Sequence, residues 1–198
     1  MSAVPCRFLA RSLVKRGIAC FVLYLMIHSK RIPPSMKARM PYLTPDDWFN
    51  IYRVSVTDIR QVVDWAHTRE DINTRKIFTL GISFGGFVSA IAMGLDKRIK
   101  AGILIVSGGN QNKMSWISVD SGYRERYPRS EEEHREIQRS YFEYLGRVAE
   151  FGFENVPSEN SSFQTDPMTF AGELKGRPIF MINALRDKYI PGEAVTEF

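Results

Sequence analysis

The chain has 198 residues, 44% of them hydrophobic and 25% charged, which is enough apolar material for one buried core and too little charge for a disordered segment. Its two cysteines, Cys6 and Cys20, exclude a disulfide framework and have no zinc-binding spacing; both are expected to be buried thiols in a reducing, cytoplasmic setting. The first 45 residues hold eight Lys or Arg and no Asp or Glu, so the net charge of +5 is lodged there, but no groove-reading or base-stacking motif accompanies it and no nucleic-acid partner is expected.

In chain order, residues 8–16 read as a short helix, with Leu9 and Leu13 on one face and Gly17 suited to its end. Residues 18–26 are almost continuously apolar and read as a strand buried on both faces. The apolar run 17–27 is too short to span a bilayer. His28, Ser29, Lys30 and Arg31 follow it where a signal peptide would carry small residues, so no membrane partner is expected. A proline-rich loop leads to a helix over 47–68, in which Ile59, Val62, Val63 and Ala66 have helical spacing. Residues 76–80 read as a second strand, 81–86 as a sharp turn, 84–95 as the helix leaving it, and 101–106 as a third strand.

The stretch 110–165 breaks this rhythm, being polar, aromatic and long. Inside it, Ser130 and Glu133 form a capping box for a helix over 130–148. Pro167 opens a short helix ending near Gly176, and 178–184 read as a fourth strand. Alternation of this kind predicts a mostly parallel sheet flanked by helices.

Chemistry concentrates at two places. Gly81-Ile82-Ser83-Phe84-Gly85 matches G-x-S-x-G, and a strand before it with a helix after it is the context that gives so short a pattern meaning. Such a turn projects the Ser83 hydroxyl above the sheet. The small residues two positions either side admit neighbouring backbone, and the Phe84 backbone N–H is placed as an oxyanion-hole donor. A Gly-Ser turn without chemistry is the plain alternative; phosphate-binding glycine patterns are absent. The second place is Asp187, just past the fourth strand, where open α/β sheets carry their functional residues. Its position after Ser83 agrees with the order nucleophile, acid, His.

On these residues the chain resembles the α/β-hydrolase superfamily, in particular its esterase and dienelactone-hydrolase-like branches. The resemblance implies a partial α/β-hydrolase fold, with residues 1–109 and 166–198 as the core and 110–165 as a helical lid insertion. It implies that Ser83 is the nucleophile and Asp187 the triad acid. The family's second oxyanion donor and its catalytic His have no counterpart here, so the chain is expected to be truncated at both ends, with the triad His not in this chain. A strand would also be missing beside residues 18–26, leaving an empty lane of roughly twice the ~4.8 Å strand spacing. Of the three histidines, His28 follows a strand near the rim of the site, His67 ends a helix and His134 lies in the first turn of the helix over 130–148 among acidic neighbours; none is assigned to the triad.

The implied activity is hydrolysis of a small-molecule carboxylic ester through an acyl-enzyme, with no metal or organic cofactor. Two alternatives stay open: a serine peptidase of the prolyl-oligopeptidase type, which also carries an aromatic after the Ser, and a non-catalytic binding protein. Met114, Trp116, Tyr123, Tyr127, Tyr141, Phe142 and Tyr144 either line an acyl pocket or pack the lid onto the core.

Overall fold

The computed structural model describes residues 4–118, 128–158 and 160–198. Three apolar runs, β1 (Ile77–Ile82), β2 (Ile99–Ile105) and β3 (Ile179–Ile182), lie side by side in that order, all parallel. Their register aligns Ile82, Ile105 and Ile182 in one row at the carboxyl edge. The described helices are α1 (Val4–Val14), α2 (Pro34–Ala38), α3 (Pro45–His67), α4 (Phe84–Leu95), α5 (Gln111–Ile117), α6 (Glu131–Phe151), α7 (Ser161–Gln164) and α8 (Gly192–Thr196). A 3₁₀ turn, Pro167–Leu174, precedes β3. This is the parallel sheet flanked by helices that the alternation of elements predicts, and it agrees with the partial α/β-hydrolase fold that the resemblance implies.

Helix α4 is the centre of the core. Every residue from Phe87 to Gly94 is buried, and a helix apolar on all sides must be enclosed on all sides. It packs on β1, β2, α3 and the turn before β3. Its last turn is closed from outside: the Arg177 guanidinium donates to the Met93 carbonyl at 2.5 Å and to that of Ile99 at 3.0 Å, satisfying a helix-end acceptor with a cation. Helix α3 begins with a capping box of Thr44 and Asp47. The Thr44 N–H and the Arg39 guanidinium together hold Asp47 below the usual carboxylate range.

Three expectations need correction at the N-terminal side. Residues 18–26 form no strand. Their apolar pattern announces burial, and Leu25 and Ile27 do enter the core, but a strand needs a ladder partner and none is present among the described residues. Phe21 is accordingly 58% exposed, against Trp65. The helix expected at 8–16 begins at Val4 and buries none of its residues. Open space lies between it and residues 20–24, a cleft of about 930 Å³ walled by Arg7, Phe8, Arg11, Lys15, Val22 and Tyr24. The cysteines are not buried either: Cys20 is exposed and Cys6 intermediate. Gly17 does close α1, with φ +77 and the Ile18 N–H returning to the Leu13 carbonyl.

Among the described residues, nothing pairs with the outer edge of β1 or of β3, and Phe180 and Ile182 of β3 are 63% and 45% exposed. No described helix is long and apolar enough to cross a membrane.

Between β2 and β3 the chain makes a second apolar cluster. Tyr141 and Tyr144 of α6 are fully buried against Phe163, at centroid distances of 4.8 and 5.7 Å. Helix α6 starts with the expected Ser130–Glu133 capping box and continues to Phe151, where Gly152 (φ +81) ends it. Packing therefore accounts for Tyr141 and Tyr144, while Phe142 is exposed; Tyr123 and Tyr127 lie outside the described residues.

A buried carboxylate ties this cluster to the sheet. Asp166, fully enclosed, accepts the N–H groups of Asn110 (2.9 Å), Gln111 (2.5 Å) and Met168 (2.9 Å). Asn110 takes a left-handed conformation, and its side-chain amide donates to Gln138 of α6 and to Glu197. Burial outweighs the three N–H bonds and raises the Asp166 pKa to about 6. A carboxyl pKa raised in the folded state gives stability that is complete below about pH 4 and lost as the pH rises through about 6. Asp166→Asn should remove that slope, and at pH 7 should lower stability by about 2 kcal/mol because one of its donors then faces the N–H of Gln111 or Asn110. Urea unfolding of both proteins at pH 4.5 and pH 7 checks both statements.

Candidate active site

Strand β1 ends at Ile82 and α4 begins at Phe84, so a single residue makes the turn. Ser83 does so at φ +53, ψ −121, a region that residues with a side chain seldom occupy. Hydrogen bonds fix it from both sides. Its N–H donates to the Ile105 carbonyl of β2 at 2.8 Å, and its carbonyl accepts the N–H of Gly86 at 2.7 Å. The side chain is exposed and caps no helix N–H. The Phe84 and Gly85 N–H groups have no acceptor among the described residues, so the first turn of α4 presents free donors and the positive end of its dipole beside the hydroxyl.

The glycines divide their work differently from the sequence expectation. A Cβ on Gly81 would lie 2.0 Å from the Gly85 carbonyl oxygen, so the strand must be bare there. A Cβ on Gly85 would meet no atom within 4 Å, whereas one on Gly86 would lie 2.7 Å from the Ser107 Cβ. Gly81 and Gly86 are therefore the close approaches.

Phe84 points into the core and is ringed by aromatics: Tyr52 at 5.0 Å, Trp48 at 6.2 Å and His28, stacked at 6.1 Å with 23° between planes. Sequence reasoning missed Trp48 and Tyr52. Their signal was a pair of aromatics four residues apart in the first turns of α3. The next strand end is strained as well: Val106, β-branched, sits at φ +53 while donating to the Ile182 carbonyl at 2.7 Å.

Asp187 follows β3 on the same edge of the sheet. Its Oδ1 accepts the N–H groups of Tyr189 (2.8 Å) and Ile190 (3.0 Å), which pins the carboxylate and leaves Oδ2 without a partner among the described residues. Asn183 holds the approach to this loop by accepting the Ser107 N–H at 2.8 Å. The fold thus carries Ser83 and Asp187 to one sheet edge, without a hydrogen bond between them. The histidines disperse. His67 bonds the Val63 carbonyl through Nδ1 at 2.9 Å, and His134 lies flat on Trp116 at 4.5 Å. His28 alone touches a neighbour of Ser83.

A family model described as the prolyl oligopeptidase family matches residues 48–188, a span that includes both Ser83 and Asp187. No curated protein is matched. Among solved structures, a hypothetical protein of Pseudomonas aeruginosa is similar at 17% identity and a TM-score of 0.37, over 67% of this chain and 52% of that one. The chain thus spans about half the length of that protein.

The glycine contacts make a contrast that thermal melting can read. Gly81→Ala should destabilise by about 3 kcal/mol or more, since backbone must move. Gly85→Ala should stay within about 1 kcal/mol of the wild type, having open space and a better helix propensity.

Proposed function

The chain belongs to the prolyl oligopeptidase family, within the α/β-hydrolases, and from that premise we propose that it is a serine hydrolase cleaving a carboxylic ester through an acyl-enzyme at Ser83. The observation carrying this reading is the turn itself: an exposed hydroxyl at φ +53, beside N–H groups of a helix start that have no acceptor among the described residues. In the proposed reaction Ser83 Oγ attacks the substrate carbonyl while its proton passes to a base. The Phe84 N–H donates a hydrogen bond to the carbonyl oxygen as negative charge develops on it. The tetrahedral adduct collapses, the alcohol leaves, and water attacks the acyl-enzyme in the same way. Asp187 would orient the base through Oδ2, which has no partner among the described residues. We assign that base to a His outside these 198 residues, because His67 is engaged with a helix carbonyl, His134 is stacked on Trp116 and His28 lies on Phe84. Residues 110–165 would act as the lid, with residues 1–109 and 166–198 as the core. The substrate is a small molecule, and neither metal nor organic cofactor takes part.

An amide substrate is the second reading, favoured by the family match. The ester reading ranks first as the less demanding reaction, because an alcohol is a better leaving group than an amine.

The test uses exogenous imidazole in place of the missing base. Wild-type chain should hydrolyse p-nitrophenyl butyrate at least about 10-fold faster with imidazole than the same imidazole alone does, and intact mass should show the acyl adduct on Ser83. Ser83→Ala should lose both the increment and the adduct, and Asp187→Asn most of the increment. Equal behaviour of wild type and Ser83→Ala would remove Ser83 from the mechanism. Parallel turnover of a prolyl p-nitroanilide would move the assignment to the amide.

A further inference from the structure

At the carboxyl edge of the sheet, β2 and β3 part in an unusual way. A main-chain bond joins the Val106 N–H to the Ile182 carbonyl at 2.7 Å. Val106 then turns at φ +53, and the N–H that follows, that of Ser107, is met by the side-chain oxygen of Asn183 at 2.8 Å. The main chain beyond Asn183 has already left the sheet, because the Ala184 carbonyl accepts the Asp187 N–H at 3.3 Å. A side chain thus ties the two strands together where the backbone bends away to carry Asp187. Two independent anchors hold the far end of this loop. Ile190 is 4% exposed and packs in the core, and the Ser118 hydroxyl donates to the Lys188 carbonyl at 3.1 Å. Ala184, Leu185 and Arg186, between Asn183 and the carboxylate, are exposed. The near end of the loop therefore depends on Asn183. The other side of the bond leads to the nucleophile. Ser107 is fully buried and packs against the bare face of Gly86, where a Cβ would lie 2.7 Å from the Ser107 Cβ. Gly86 in turn donates its N–H to the Ser83 carbonyl at 2.7 Å. Asn183, Ser107, Gly86 and Ser83 form an unbroken series from the base of the acid loop to the strained turn.

We infer that Asn183 is a positioning residue: through its hydrogen bond to the Ser107 N–H, it sets where Asp187 stands relative to Ser83. The inference rests on the serine-hydrolase reading of Ser83 and Asp187. Asn183 touches no substrate and moves no proton in this scheme. It acts through Asp187, whose carboxylate orients the base only if held in place. Its effect therefore falls on the chemical step rather than on ground-state binding, and it disappears when the carboxylate is gone.

Three substitutions separate the hydrogen bond from the volume of the side chain. Asn183→Leu and Asn183→Ala remove the acceptor, the first keeping its bulk; Asn183→Asp keeps the acceptor. Hydrolysis of p-nitrophenyl butyrate in imidazole, above the rate with imidazole alone, is measured for these variants, for Ser83→Ala, and for each variant combined with Asp187→Asn. Thermal melting shows that each is folded. Loss of the acceptor should lower kcat at least about fourfold with KM within about twofold, and Asn183→Asp should keep more than about half of the wild-type rate. In the Asp187→Asn background the same substitutions should cost less than about 1.5-fold, since no carboxylate is left to misplace. Equal costs in the two backgrounds overturn the inference, because the asparagine then serves the fold alone. Wild-type turnover in Asn183→Leu overturns it too. Asp187→Asn as fast as the wild type removes Asp187, and this inference, while leaving Ser83 in place. A wild type no faster than Ser83→Ala overturns the reading of Ser83, and this inference with it.

Discussion

A parallel strand that runs directly into a helix must reverse direction within one residue, and here that residue carries a side chain. Ser83 holds a positive φ that costs on the order of 1–3 kcal/mol. The neighbours make that conformation the best one left. The ladder bond to Ile105 continues the strand up to the turn, and the Ser83 carbonyl is taken by the helix starting at once. Helix α4 is so completely buried that its axis cannot swing to relieve the strain. The position of Asp187 follows from the same frame, because the row Ile82, Ile105, Ile182 sets where β3 ends relative to the turn.

Strain and polarity are concentrated at the carboxyl edge of the sheet. Val106 and Asn110 have positive φ within a few residues of the end of β2. Asn110 is held there by a network that reaches Asp166, Gln138 and Glu197. The helices between β2 and β3 are therefore attached by directed hydrogen bonds at their root and by aromatic packing of Tyr141 and Tyr144 farther along. Burying a carboxylate at such a root is unfavourable by itself, and the three N–H groups it accepts are what make the ionised form tolerable.

The parts legible in the sequence are those decided locally. Helix α4 is bounded by a strained turn and a fully apolar run, and its limits are the expected 84–95. The Ser130–Glu133 capping box and Gly17 behaved as their chemistry requires. Residues 18–26 misled because apolar character reports burial and says nothing of ladder partners, which lie elsewhere in the chain. The exposure of Cys20 follows from the same segment. The aromatic collar of His28, Trp48 and Tyr52 around Phe84 is a meeting of separate elements that no local pattern announces. Gly85 was credited with a close approach that belongs to Gly86, since G-x-S-x-G does not tell which glycine faces the neighbouring strand.

The bare rims of the sheet have a consequence for handling the protein. A strand edge with no ladder partner among the described residues, next to exposed Phe180 and Ile182, is a template for adding another strand. Two molecules meeting rim to rim gain ladder bonds and bury those side chains together, and each addition presents a fresh rim. Only a modest positive charge opposes this, and most of it lies on the first 45 residues. Raising ionic strength screens that repulsion while leaving the strand pairing intact, so salt should promote association where it would normally be added to prevent it.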